Sequence, residues 1–426
     1  MDLSTLGPTD LDGHVINRLL EGVDDPALIA MVSDVLARPR TVESSFTLHA
    51  PLELLARVRL LPRVGAQARR RARLRMVALA VGYAGAGQTV PAPSGAPPAS
   101  TDEAVGLLRV ALAANDPTLA DRAAIGLGHL AGPATLAARL ATDLVPLLGA
   151  AGHAPILLAN WPLVERPDGL NGAIIRQLFR SLAAESGLRF RFDHPHGARQ
   201  PGSVDDLDAA LAAVQPMGDP GFGIFLLMDQ AERHQALAAL VAVDAEDTTA
   251  AFRLILRRAA TAMVTDNPDH APYGWSHALT MPLALAQIAP HTADPTVALD
   301  AALTQWCAFR MGHGVGPVAA YHPEPVDQPL PDALATSPTA AAAVAFHDAD
   351  RDAVDQVLAD NAATSHDAHL VKYTVASLDA AQVDPDHRGL YQAAAAFLAG
   401  WWRRTPAADD PLAGASRSST RWAVAK

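Results

Sequence analysis

Cysteine is almost missing from this chain: Cys307 is the one example among 426 residues. That excludes an internal disulfide and any metal or cluster site built from thiolates. Aromatic residues are scarce at 5%, so a core has to be built mainly from Ala, Leu and Val. Ala and Leu are the strongest helix formers and β-branched runs are few, which favours close-packed helices. Positive charge is not in excess. A formal charge of −12 argues against a nucleic-acid backbone as the main partner. Apolar runs are broken by Pro, Gly or charge well short of the ~20 residues of a membrane span. Met1-Asp2-Leu3-Ser4 has neither the basic nor the apolar region of a signal peptide, so a soluble cytoplasmic protein is expected. Familiar signatures are missing as well. There is no His-Glu-x-x-His and no Cys-x-x-Cys. Gly221-Phe222-Gly223 and Gly126-Leu127-Gly128 sit in helical contexts, so a flavin- or NADPH-binding fold lacks its Gly-x-Gly-x-x-Gly turn after a strand.

What the chain has in quantity is helix punctuation. Thr101-Asp102, Asp116-Pro117, Ser203-Val204-Asp205-Asp206, Asp294-Pro295 and Ser337-Pro338 each put a capping residue ahead of an apolar-periodic run. Helices are predicted at 10–20, 25–37, 102–114, 117–131, 133–150, 152–160, 170–186, 204–215, 219–229, 231–243, 247–264, 276–289, 295–310, 338–346, 350–360, 364–380 and 386–403. The expectation is an all-α fold: one large domain, residues 1–404, of about fifteen helices around a central ligand-binding core. A disordered tail over 405–426 is expected to follow. The Gly- and Pro-rich stretch 82–100 reads as a mobile loop, 322–336 as a second loop, and Leu188-Arg189-Phe190-Arg191-Phe192 as a short strand. The arginine-dense segment from Arg57 to Arg75 reads as a solvated helix face or as a patch for an acidic partner.

Most of the sixteen histidines sit beside turns or charges. Four do not. His49 opens an apolar helix, His153 begins another (His153-Ala154-Pro155-Ile156-Leu157), His277 precedes Met281 and Leu285 by one and two turns, and His369 lies in Ser365-His366-Asp367-Ala368-His369-Leu370-Val371-Lys372-Tyr373. His129 is a weaker fifth. Any one of them alone reads as a core or cap histidine bonded to a carbonyl. Four in one chain weaken that reading without removing it, and a shared metal is the other reading, because helical bundles hold metals with inward ligands from different helices. Imidazoles suit Fe, Zn, Cu and Ni. His366, His369 and Lys372 step by three along one helix row, and polar groups beside a buried stripe need partners. His366 is expected at the rim or helix start, and Asp367 is expected to point away from the His369 row.

Three of these segments resemble the questin oxidase-like family. Asp367-Ala368-His369-Leu370-Val371-Lys372-Tyr373-Thr374 is similar to its His-Val-Ile-Lys block, and His277-Ala278-Leu279-Thr280-Met281-Pro282 to its His-x-Val-Thr-Gly-Pro segment. His49 with Leu54-Leu55-Ala56-Arg57-Val58 is similar to its Asn-His…Leu-Leu segment. His153-Ala154-Pro155-Ile156 resembles its His-x-Leu-Ile block, and Gly389 to Trp402 its closing helix. The chain departs from the family at Leu48, Met281 and the residue after Ile156, where the family carries Asn, Gly and Arg. The resemblance implies an oxygenase for polyketide-derived aromatics of secondary metabolism, using O2 for Baeyer–Villiger-type insertion or ring C–C cleavage. It implies a non-haem Fe(II), with other divalent metals open, held by His49, His153, His277, His369 and a CO2-derived carbamate on Lys372. His369 and Lys372 would be the catalytic pair. Trp275, Tyr373 and Trp161, with Tyr273, Phe222 and Phe225, are candidate pocket walls. The partners expected are a small aromatic molecule and O2, with no nucleic acid or membrane and with a homo-oligomer left open. The alternative is a metal-free helical binding or scaffold protein that keeps the family fold.

Overall fold

The computed structural model describes residues 3–7, 10–11, 14–163, 170–192, 194–221, 223–318 and 320–404. The 405–426 tail and Phe222 lie outside the described residues. Within them nineteen α-helices follow one another. They are His14–Gly22 (α1), Asp25–Leu36 (α2), Ser45–Leu60 (α3), Ala66–Gly85 (α4), Thr101–Ala114 (α5), Pro117–Leu130 (α6), Pro133–Leu144 (α7), Ala154–Leu163 (α8), Arg176–Ala184 (α9) and Val204–Ala212 (α10). Ile224–Arg233 (α11), Thr248–Thr265 (α12), Ser276–Ile288 (α13), Pro295–His313 (α14), Leu330–Thr336 (α15), Pro338–His347 (α16), Arg351–Thr364 (α17), Ala368–Val383 (α18) and Arg388–Arg404 (α19) complete the set. No sheet forms among the described residues, and the three β-bridges are isolated. The chain is an all-α, single-domain protein around one packed core. No helix of the described residues is long and apolar enough to cross a membrane.

The caps act where the sequence put them. Asp116 accepts from the amides of Thr118 and Leu119, Asp294 from Thr296, and Ser337 from Ala340, while Ser203 and Asp206 close a reciprocal capping box. The α5 cap is Ser100 rather than Thr101. Other expectations give way to tertiary structure. The helix predicted over 133–150 stops at Leu144, and 231–243 is mostly turn. Leu188–Phe192 forms no strand; Leu148 N donates to Leu188 O and Phe190 N to Pro146 O, so it braces the segment leading to His153. The 82–100 stretch is anchored at two points, with Val90 N bonded to Pro39 O and Pro98 buried under Gly126, while most of 91–97 is exposed. Gly126-Leu127-Gly128 serves helix contact: a Cβ on Gly128 would come 2.6 Å from the Gly172 carbonyl carbon.

The arginine-dense segment is divided: Arg63, Arg70 and Arg71 stay exposed as a solvated face, and the others are tied into the fold. Arg57 pairs with Glu53 and Arg59 with Asp379, Arg69 and Arg73 clamp Asp25, and Arg75 donates to Thr364 O. These side chains strut α3 and α4 against α2, α17 and α18. At the centre, α18 is buried from His369 to Ala381. It carries His369, Lys372 and Asp379 into the interior, where each polar group needs a partner. Four helices close a ring there: α3 packs on α8, α8 on α13, α13 on α18, and α18 on α3.

Candidate metal centre

Each helix of that ring carries a histidine close to the N-terminal end of its range. His277 and His369 are the second residues of α13 and α18, His153 immediately precedes α8, and His49 is the fifth residue of α3. Their imidazoles meet in the same order as the helices. Ring centroids are 4.7 Å apart for His49 and His153, 5.5 Å for His153 and His277, 5.1 Å for His277 and His369, and 4.7 Å for His369 and His49. The Nε2 atoms of His49 and His153 are 2.9 Å apart. His49, His277 and His369 each bring one ligating atom within 4.8 Å of the others.

Local structure fixes each ring. Ala150, Ala151 and Gly152 have φ of 52°, 52° and 69°, a left-handed turn that L-residues avoid. It holds the Ala150 carbonyl 3.0 Å from His153 Nδ1, and Glu185 pins the Ala150 amide at 2.7 Å. A π-helical turn, Ala271–Trp275, puts the Tyr273 carbonyl on His277 Nδ1. Ser45 Oγ lies 3.3 Å from His49 Nδ1. Asp367 caps α18 through the amides of His369 and Leu370, with its Oδ1 3.6 Å from His369 Nδ1. It therefore stays beside His369 instead of pointing away. His366 lies outside the cluster, its ring edge-on to Trp402.

Nδ1–H donation to a carbonyl leaves Nε2 as a bare lone pair, so His153 and His277 present acceptors to the centre. Burial pushes all four imidazoles below their ordinary pKa, His153 to about 3, and the nearby Lys372 ammonium pushes His49, His153 and His369 further. The partly positive starts of α8 and α18 act the same way on His153 and His369. Lys372 is buried and forms no hydrogen bond or ion pair among the described residues. Burial lowers its pKa from 10.5 to about 8, against the opposing charges of Asp367 and Glu53.

Lone pairs gathered in a buried place need an electrophilic partner. A divalent cation is one that fits the donors: ligands at right angles on bonds of about 2.1 Å lie about 3.0 Å apart, close to the His49–His153 separation. Hydrogen bonds to the outer ring nitrogens are the supporting shell that metal-binding histidines carry.

One flank of the cluster opens into a cavity of 670 Å³, reached by all four histidines and walled by Phe225, Tyr273 and Phe309. The Phe309 ring is nearly parallel to His277, and Tyr273 meets His369 edge-on. Trp275, Tyr373 and Trp161 do not line this cavity. All three are buried in the core, and Trp275 Nε1 bonds to Asn267 O. Lys372 also stays off the cavity and borders a 20 Å³ void with Asn160 and Asp379. Phe309 and the Ala150–Gly152 turn carried no signal in the sequence. Their contribution depends on neighbours remote in the chain.

A second group, Asp219, His270 and His313, also brings one ligating atom from each within 4.8 Å. The fold and these sites define a helical protein with two clusters of side chains able to hold a metal ion. The chain matches no family model, no curated protein and no solved structure.

Proposed function

We propose that this protein is a non-haem, metal-dependent oxygenase for a flat, polyketide-type aromatic substrate. His49, His153, His277 and His369 would hold the metal, and Lys372, as its CO2-derived carbamate, would supply an anionic oxygen. The observation that carries this reading is the convergence of four neutral imidazoles, one from each of four packed helical segments, beside an aromatic-walled cavity. The likeness of the surrounding segments to the questin oxidase-like family supports it. Iron(II) suits imidazoles joined by one hard oxygen donor, a preference other divalent metals share. Bound iron supplies the one-electron chemistry with O2 that side chains lack.

The chain's own residues bind, orient and exclude water. The carbonyls of Ala150 and Tyr273 keep His153 and His277 in the ligating tautomer. Phe309 and Tyr273 offer faces and edges for a ring system, and 670 Å³ is ample for a small-molecule ligand. A pKa near 8 leaves part of Lys372 uncharged at neutral pH. Its nitrogen lone pair can then form a bond to the carbon of CO2 with release of one proton.

Metal analysis of the purified protein, then O2 uptake by the iron(II)-loaded protein with hydroxylated anthraquinones, tests the reading. Stoichiometric metal and substrate-dependent uptake support it; a protein that neither carries nor takes up iron, manganese or zinc overturns it. That second outcome would favour a metal-free binding protein, for which the His49–His153 contact at 2.9 Å is an imidazole–imidazole hydrogen bond.

A further inference from the structure

We infer that Asp219, His270 and His313 form a second, weaker and exchangeable divalent-cation site, separate from the four-histidine centre. Two imidazoles and a carboxylate are a donor set that suits iron(II), manganese(II), cobalt(II) and zinc(II). The three side chains run from the surface to the cavity: Asp219 is exposed, His270 half-buried, and the buried His313 lines the cavity wall.

The loop before α11 is built to present Asp219. Its Oδ1 accepts from Gly221 N at 2.7 Å, which leaves Oδ2 facing His270 Nε2 at 3.7 Å. Met217 N donates to Met311 O at 2.7 Å and ties that loop to the end of α14. His313 is the last residue of α14, a helix of nineteen residues, and a helix C-terminus carries the partial negative charge that attracts a cation.

An independent observation comes from Gln230. Its Nε2 reaches Gly218 O at 3.3 Å, while its Oε1 is buried with no hydrogen-bond partner. That oxygen would lie 3.6 Å from a Cβ on Gly312. It is therefore a spare acceptor between the neighbours of Asp219 and His313, where a hydrated cation needs one.

The geometry also explains why the site is the weaker one. The His270 and His313 rings are stacked at 4.0 Å with 20° between their planes, so their in-plane lone pairs run side by side. Binding has to turn one ring, and His270 is the less enclosed. The cluster contracts around the ion, whereas the 2.9 Å His49–His153 pair is already at ligand spacing.

Equilibrium dialysis of the full chain against Co(II), with metal analysis of both compartments, tests this. The wild type is expected to bind two equivalents of unequal affinity. Asp219→Asn and His270→Gln are expected to lose the weaker equivalent and keep the tighter, and His369→Gln the reverse. Asp219 is exposed, so Asp219→Asn keeps the test decisive if His270→Gln fails to fold. Co(II) binding that Asp219→Asn leaves unchanged overturns the second site, whatever the total. If instead His369→Gln changes nothing and Asp219→Asn removes an equivalent, the four-histidine reading has failed and this one stands.

Discussion

The Nε2 atoms of His49 and His153 meet at 2.9 Å although 104 positions separate the two residues in the chain. Neither ring reaches that point by chance of local sequence. His49 is aimed by the first turn of α3, His153 by a left-handed turn held through Glu185, and the two helices pack directly. The central claim is that this contact, repeated around four helices, is one face of a metal centre.

Acid is expected to destabilise the metal-free protein from about pH 6.5 downward. Burial holds His153 near pKa 3 when folded, against 6.5 as its ordinary value, and His49, His277 and His369 shift the same way. Between those values the unfolded chain binds more protons, so stability is full above about pH 6.5 and falls as the pH drops toward 3. Urea denaturation of wild type and His153→Gln from pH 7 to 4 measures it. The wild type is expected to lose stability more steeply; parallel curves would contradict the burial account.

Lys372→Met separates stability from function. The buried ammonium has its pKa lowered from 10.5 to about 8, so its contribution is full above 10.5 and lost as the pH falls through 8. At neutral pH the charge destabilises the metal-free fold by about 3 kcal/mol. Methionine removes that penalty, so the variant is expected to unfold at higher urea while losing metal affinity. A variant less stable than wild type would show that Lys372 has a partner in the fold. In the wild type, a carbamate signal after 13C-bicarbonate labelling is expected.

Arg57 positions His369 without touching it. Its guanidinium meets Glu53 and donates to the carbonyls of Ala363 and Ser365 at 2.9 and 2.8 Å, fixing the turn into α18. Arg57→Met leaves the Glu53 charge buried and alone, a loss of about 3–5 kcal/mol. Glu53→Gln added to it is expected to restore much of the stability but not the metal affinity, which should stay about 10- to 100-fold down. Denaturant midpoints and competitive chelation read the two effects separately.

The left-handed turn before His153 stores strain. Ala151 has φ 52° and ψ 34°, so Ala151→Gly is expected to stabilise the protein by roughly 0.5–1 kcal/mol after the entropy of glycine is counted. Unchanged or lower stability would mean that the turn is relaxed.

Much of this architecture could be read in advance because capping chemistry is local. Asp116-Pro117, Asp294-Pro295 and Ser337-Pro338 start helices for reasons contained in four residues. The histidines of interest could be found because imidazoles at apolar helix starts are conspicuous. What could not be read was anything decided across the chain. Arg59, Arg69 and Arg73 look solvated until Asp379 and Asp25 arrive from other helices. Trp275 and Tyr373 look like pocket walls because they adjoin His277 and His369, yet helical geometry turns them into the core. Asp219, His270 and His313 lie on separate elements with no shared spacing.

Anomalous diffraction at the iron edge, from crystals of the iron(II)-loaded protein, addresses the centre most directly. The account predicts a peak within bonding distance of the inward nitrogens of His49, His153, His277 and His369. An iron-loaded crystal with no peak among those four rings would contradict it.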